Sequence, residues 1–132
     1  MSVELTMLAW TLVLALVYVF LPVIGRTRQL GSKWNASARD EPLPPPTPVT
    51  GRLERAQKNL YETLPLFIGA VLAVHAVGRE NGLSALGAQL YFWGRVVYLP
   101  LYALGIPYAR SLAWAASFAG LVMLLVALFG LA

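Results

Sequence analysis

Four long apolar stretches limit how this chain can fold more than any other feature of its sequence. They cover residues 5–24, 60–77, 83–104 and 111–131, and the first and the fourth contain no charged residue. Each approaches the ~20 residues that a helix needs to cross the hydrocarbon core of a bilayer. Lipid offers the backbone no hydrogen-bond partners, so spans of this kind must be helices. The sequence therefore predicts an all-α integral membrane protein, a four-transmembrane-helix bundle.

The composition agrees with a membrane protein rather than a soluble domain. Of 132 residues, 58% are hydrophobic and only 12% are charged, whereas a soluble domain has about 25% charged residues. A soluble chain of this length has too small a core to bury so much apolar surface. We therefore expect one domain over residues 1–132, with its excess apolar surface facing membrane lipids.

The basic residues predict the orientation of the spans. The side of the membrane that holds the loop 25–51 and the link before the fourth span carries most of the positive charge: Arg26, Arg28, Lys33, Arg39, Arg52, Arg55, Lys58 and Arg110. The opposite side has Glu4, Arg79 and Glu80. Positive charge flanks membrane spans on the cytoplasmic side, so the long first loop is expected there. Topology thus explains the net charge of +4, and we expect no nucleic-acid partner.

A polar stripe runs into the second span. Arg52, Arg55, Asn59 and Glu62 are spaced 3, 4 and 3 residues apart, which places them within an arc of roughly 80° on a helix. Ionisable groups inside a membrane are costly and usually functional. The alternative is a structural role, with an ion pair between helices and with arginine and lysine side chains that extend to the headgroups.

The third span repeats this arrangement with Arg95, Tyr98 and Tyr102 on one face. An isolated charge near the middle of a span costs at least ~2.5 kcal/mol. Glu62 is the only acidic residue in the four apolar stretches, so the sequence predicts a pair between Glu62 and Arg95. The two tyrosines could instead be ordinary aromatic residues of the membrane interface.

Arg110 and Ser111 open the fourth span, at the membrane edge where Arg52 and Arg55 are expected. Arg110 could serve only as a topology anchor. Together with the two stripes, however, it predicts a cationic pocket with one carboxylate, one amide and two phenols. Such a pocket suits an anionic ligand that also carries an ammonium group. His75 is the only histidine and there is no cysteine, so we expect no metal site.

These residues resemble a known family. The pattern R-x-x-R-A-Q-x-N-x-x-E-x-x-P-L-F over residues 52–67 is similar to the motif of the MAPEG family, the membrane-associated proteins in eicosanoid and glutathione metabolism. The pattern R-x-x-Y-x-x-x-Y over residues 95–102, followed by Arg110 and Ser111, resembles the second signature of the family. The likeness extends over the whole chain, whose brevity is typical of bacterial members, and it implies a location in a bacterial inner membrane.

The resemblance implies a homotrimer that binds glutathione between subunits and takes a lipophilic second substrate from the bilayer. By motif, Arg110 stabilises the glutathione thiolate, and Ser111 follows it as in the prostaglandin synthase branch. Either Arg26 or Arg28 matches a further ligand-contacting arginine. The remaining positions that we expect to bind glutathione, by motif or as part of the cationic pocket, are Arg52, Arg55, Asn59, Glu62, Arg95, Tyr98 and Tyr102.

The implied activity is that of a glutathione transferase or peroxidase acting on a lipophilic electrophile or a lipid hydroperoxide. A cosubstrate must supply any thiol, because the chain has no cysteine. The alternative is a non-catalytic lipid-binding scaffold of the same family. A small multidrug exporter, which would need a carboxylate in the middle of the first span, does not fit residues 5–24.

Overall fold

The computed structural model describes residues 1–131, and within this range the chain is helical. Five helices follow one another: α1 at Val3–Leu30, α2 at Ser32–Ala36, α3 at Pro48–Ala76, α4 at Gly82–Ala103 and α5 at Pro107–Leu128. The prediction of an all-α chain is confirmed. The long helices extend past the apolar stretches, since α1 continues beyond residue 24 and α3 begins before residue 51. The first loop is therefore shorter than predicted.

Three helices, α1, α3 and α5, are long and apolar enough to cross a membrane. At 22 residues, α4 also has sufficient length, because a helix of that size spans about 33 Å. Its most apolar stretch is less hydrophobic than those of the other three, however, because Gln89, Arg95 and three tyrosines are distributed along it. Much of this polarity points into the bundle, where Tyr91, Arg95 and Tyr98 are buried.

Local sequence determines where the helices begin and end. The Ser2 hydroxyl accepts a hydrogen bond from the Leu5 amide at the start of α1. Thr47 caps α3 in the same way, followed by Pro48, whose missing amide hydrogen costs nothing in the first turn. Asn81 and Ser84 form a capping box at the start of α4. Gly31, with φ of 93°, ends α1 in a conformation that favours glycine.

Small residues let α4 and α5 pack closely. A Cβ atom on Gly120 would lie 2.3 Å from the carbonyl oxygen of Gly87, and one on Gly94 would lie 2.9 Å from that of Ala113. No real side chain tolerates such distances, so these positions require glycine. Because α5 is held tightly against α4, the start of α5 is fixed beside the end of α4. Arg110 owes its position to this contact.

All four long helices contribute to the core, and between α3 and α4 the rings of Phe67 and Tyr91 stack with centroids 4.0 Å apart. On the outside, α1 exposes large apolar side chains, among them Trp10, Leu16 and Phe20, each more than half exposed. Exposed apolar surface on this scale suits contact with lipid or with another subunit. Most polar side chains lie in the bundle interior or at its two ends, with Glu62, which is exposed on α3, as an exception.

Candidate functional site

Three arginines converge at one end of the bundle, where α3 begins, α4 ends and α5 begins. Arg52 and Arg55 come from α3, and Arg110 comes from α5. The side chain of Tyr102, from the last turn of α4, lies among them: Arg55 Nε donates to its hydroxyl at 3.3 Å. The Arg110 guanidinium lies 4.7 Å from the centre of the Tyr102 ring. Arg55 is exposed and the other two arginines are half-buried.

Two cavities at this end share Arg110 in their linings. The larger, of about 350 Å³, is lined by Arg52, Arg55, Tyr102, Gly105, Pro107 and Arg110. The smaller, of about 160 Å³, is lined by Asn59, Tyr98, Arg110, Ser111 and Trp114. Arg110 lines both, so a ligand that fills the two cavities passes its guanidinium. Neither lining contains an acidic side chain within the described range, so the positive charge of the cavities is not neutralised there.

Arg52 combines a cavity position with a structural contact. Its Nη1 donates to the carbonyl oxygen of Ala103 at 3.3 Å, which satisfies an acceptor at the end of α4. Its guanidinium would lie 3.1 Å from a Cβ atom at Gly105, which also has a positive φ of 72°. Gly105 therefore allows the α4–α5 turn to pass beneath Arg52. The turn and the arginine hold each other in place.

Ser111 lies at the smaller cavity with its hydroxyl already engaged. Its Oγ donates to the carbonyl oxygen of Pro107 at 3.3 Å, one helical turn earlier. Tyr98, which also lines this cavity, is buried. Arg110 is thus the cation of this cavity, and Ser111 adds a polar wall whose oxygen can still accept a hydrogen bond.

Arg95 lies inside the bundle and is fully buried. Its Nη1 donates to Asn59 Oδ1 at 2.7 Å and its Nη2 donates to Thr63 Oγ1 at 3.1 Å. Its guanidinium also lies 5.0 Å from the centre of the Tyr98 ring. Arg95 therefore does not line the cavities but holds Asn59, which does.

The predicted pair between Glu62 and Arg95 is wrong for the single subunit. Glu62 is exposed, and no ion pair within residues 1–131 includes it. The reason is angular: Glu62 is at the edge of the polar arc, roughly 80° from Arg52, so it points out of the bundle. An amide, a hydroxyl and aromatic faces take the place of a carboxylate around Arg95.

Arg26 and Arg28 are not brought to the cavities of their own subunit. Arg26 Nε pairs with Glu54 Oε1 at 3.0 Å, and its Nη1 donates to the Pro44 carbonyl oxygen at 3.0 Å. Arg28 is exposed and lines a separate, largely apolar hollow between α1 and the start of α3. The pair between Arg26 and Glu54 joins α1 to α3, and the hydrogen bond to Pro44 holds the loop that precedes α3 against the same arginine.

The structure adds site residues that the sequence analysis missed. Thr63 and Trp114 each follow a predicted residue by four positions, Asn59 and Arg110 respectively. Tyr91 precedes Arg95 by four. Residues four apart share a helix face, and this spacing was a signal that could have identified all three.

A model of a known protein family matches most of this chain. Residues 7–130 match the model described as the MAPEG family. The match covers nearly the whole chain, including the arginines at the start of α3, the buried face of α4 and Arg110. A search of curated proteins gives no match.

Proposed function

The chain belongs to the MAPEG family, and from this premise we propose that it is a membrane-bound glutathione-dependent transferase or peroxidase. Its substrate would be a lipophilic electrophile that enters from the bilayer. One observation carries the proposal: Arg52, Arg55 and Arg110 line the larger of two cavities, Arg110 also lines the smaller, and neither lining contains an acidic side chain within residues 1–131. Uncompensated positive charge of this kind is suited to an anion.

Glutathione matches the charges of the site. Its two carboxylates can accept hydrogen bonds from Arg52 and Arg55 in the larger cavity, where guanidinium groups bind carboxylates in a fork. Arg110 lines both cavities, so it can also stabilise a thiolate in the smaller one. An adjacent cation lowers the pKa of a thiol, and the thiolate is the nucleophile. Its sulfur would bond to the electrophilic carbon, whose leaving group departs with the electron pair.

The exposed carboxylate of Glu62 supports an oligomer. It lies on an apolar helix that crosses the membrane, and a charge facing lipid at that position is costly. We propose that a second copy covers it in a homotrimer and that glutathione binds at this junction. There the Glu62 carboxylate would accept hydrogen bonds from the ammonium group of the ligand. In such a trimer α4 would also cross the membrane, as the third of four spans, and the loop between α1 and α3 would face the cytoplasm.

Calorimetric titration of glutathione into the protein, purified in detergent, tests this proposal. We expect saturable binding, with tighter binding of glutathione than of its glycine amide, because the amide removes one carboxylate that the arginines would bind. The difference should be about tenfold, the magnitude typical of one charge-assisted hydrogen bond. Absence of any binding heat at millimolar glutathione would overturn the enzymatic proposal. Binding without conjugation of a model electrophile would instead support a lipid-binding scaffold.

A further inference from the structure

The loop between α1 and α3 forms a cavity separate from those at Arg110. It has a volume of about 520 Å³. Two cations, Lys33 and Arg39, and two carboxylates, Asp40 and Glu41, line it together with Trp34. Its formal charges therefore cancel, in contrast to the cavities around Arg110, where only cations are present. A cavity lined by equal numbers of positive and negative side chains is suited to a zwitterionic ligand.

The depth of this cavity in a membrane follows from the length of α1. The apolar stretch of α1 ends at Ile24, and Leu30, which lines the cavity, comes six residues later. At 1.5 Å per residue, Leu30 lies about 9 Å beyond the end of the apolar stretch. The polar headgroup layer begins at that edge of the hydrocarbon core. The loop cavity is thus at the level of lipid headgroups.

Arg39 is held in place within this cavity. Its backbone has a positive φ of 61°, which is uncommon for a residue other than glycine. The Arg39 amide donates to Ser37 Oγ at 3.2 Å, and its Nη2 donates to the Asn35 carbonyl oxygen at 3.0 Å. The guanidinium also lies 4.6 Å from the centre of the Trp34 ring. Unfavourable backbone conformations persist where the surroundings enforce them, and they concentrate at functional positions.

From these observations we propose that the loop cavity binds the phosphoethanolamine headgroup of a membrane phospholipid. The phosphate would pair with Lys33 and Arg39, and the ammonium group would donate hydrogen bonds to Asp40 and Glu41. An anionic headgroup without an ammonium group would leave the two carboxylates facing negative charge. A choline headgroup has no N–H with which to satisfy them. This inference is independent of the proposed activity, because it concerns neither glutathione nor Arg110.

Lipid retention in nanodiscs tests the site. The protein is reconstituted in phosphatidylcholine containing equal minor fractions of phosphatidylethanolamine and phosphatidylglycerol, and the lipids that remain bound are quantified by native mass spectrometry. We expect selective retention of phosphatidylethanolamine. Arg39→Ala should lower that retention about tenfold. Arg28→Ala is the matched control, since Arg28 is an exposed arginine of the same region that does not line the cavity.

A second variant keeps the test independent of Arg39, whose removal could disturb the loop. The double substitution Asp40→Asn with Glu41→Gln changes two exposed side chains and should abolish the preference for phosphatidylethanolamine over phosphatidylcholine. Retention of phosphatidylglycerol equal to that of phosphatidylethanolamine in the wild type would overturn the proposal in favour of general attraction to basic charge. So would equal losses in Arg28→Ala and Arg39→Ala, or an unchanged preference in the double variant.

Discussion

At the end of the bundle where α1 begins, polar side chains bind one another, whereas at the other end arginines converge without an anion. The first end is built from Glu4, Ser84, Ser2, Glu80 and His75. Ser84 Oγ donates to the buried Glu4 carboxylate, and Ser2 Oγ donates to Glu80 Oε2 at 2.5 Å. His75 Nδ1 lies 3.1 Å from the other oxygen of Glu80. These contacts tie together the ends of three helices.

The end that holds Arg52, Arg55 and Arg110 differs in one respect that bears on function. Its arginines contact a phenol, an aromatic ring and a backbone carbonyl, but no carboxylate of the described chain. Charged groups that are satisfied within the subunit stabilise the fold. Charged groups left without a counterion remain available to a ligand. We therefore call the first end, around Glu4 and Glu80, the structural end. We call the second, around Arg52, Arg55 and Arg110, the binding end, because we propose that glutathione binds there.

The largest effect on activity is expected from a substitution at Arg110, in the binding end. Arg110→Ala should lower the rate of glutathione conjugation on the order of 100-fold or more, the cost typical of removing one group that stabilises a developing anion. Its effect on unfolding should be small, because the side chain is only half-buried and contacts a ring. Conjugation of a model electrophile and thermal unfolding in detergent provide the two measurements.

Arg79 offers the matched control for this experiment. It is an arginine of the opposite end, where its Nη1 donates to the carbonyl oxygen of Leu128 at 2.6 Å. Arg79→Ala should leave the conjugation rate within about twofold of the wild type, since distant sites are largely independent. An equal loss of activity in both variants would show that the two ends do not differ as described.

A substitution at Glu4 tests the structural end, where we expect an effect on stability rather than on activity. Glu4→Ala removes the acceptor of the Ser84 hydroxyl and a negative charge from the first turn of α1, where the helix dipole favours it. We expect a loss of about 1–3 kcal/mol of stability, typical of a buried hydrogen bond to a charged group, with glutathione binding unchanged. Denaturant unfolding measures the first quantity and calorimetry the second. Glu4→Gln keeps an acceptor oxygen and should lose less; a larger loss in Glu4→Gln would contradict the role given to the hydrogen bond.

Within the binding end, Arg55 should affect affinity rather than rate. Arg55→Ala removes an exposed cation from the larger cavity and should raise the KM for glutathione about tenfold, with little change in kcat, because a carboxylate far from the thiol is bound alike before and during reaction. Lys58→Ala removes a neighbouring exposed cation that does not line the cavity. It should leave the KM near the wild-type value. A fall in kcat as large as the rise in KM would place Arg55 at the reacting atoms instead.

The two ends also differ in how well the sequence predicts them. Helical periodicity placed Arg52, Arg55 and Asn59 on one face because α3 is long and regular, and the fixed angle per residue needs no knowledge of the fold. The same angle per residue places Glu62 at the edge of the polar arc of α3. The way in which α4 packs against α3 then determines that Glu62 lies outside the bundle. The packing of α4 against α3 likewise determines that Arg95 donates to Asn59 and Thr63 rather than to Glu62.

Contacts between distant residues were beyond prediction from the sequence. The pair between Arg26 and Glu54 depends on how α1 crosses α3, and the contact of Ser84 with Glu4 joins residues 80 positions apart. The sequence does not predict the positive φ of Arg39, because that conformation is typical of glycine and not of arginine. Spacing along one helix is therefore informative, whereas a partner on another helix requires the three-dimensional arrangement.

The smallest effect is expected on the pH dependence of stability, to which Glu80 of the structural end should contribute. The hydrogen bond from Ser2, with a further contribution from His75, lowers the pKa of the Glu80 carboxyl below its ordinary value of 4.5. A lowered pKa in the folded state means that the ionised carboxylate stabilises the protein above pH 4.5 and that this contribution is lost as the pH falls through the folded pKa. The thermal unfolding midpoint should therefore fall slightly more between pH 5 and about pH 3 in the wild type than in Glu80→Gln, which has no charge to lose. Identical acid dependence in the two proteins would show that Glu80 does not contribute to holding the ends of α1 and α3 together.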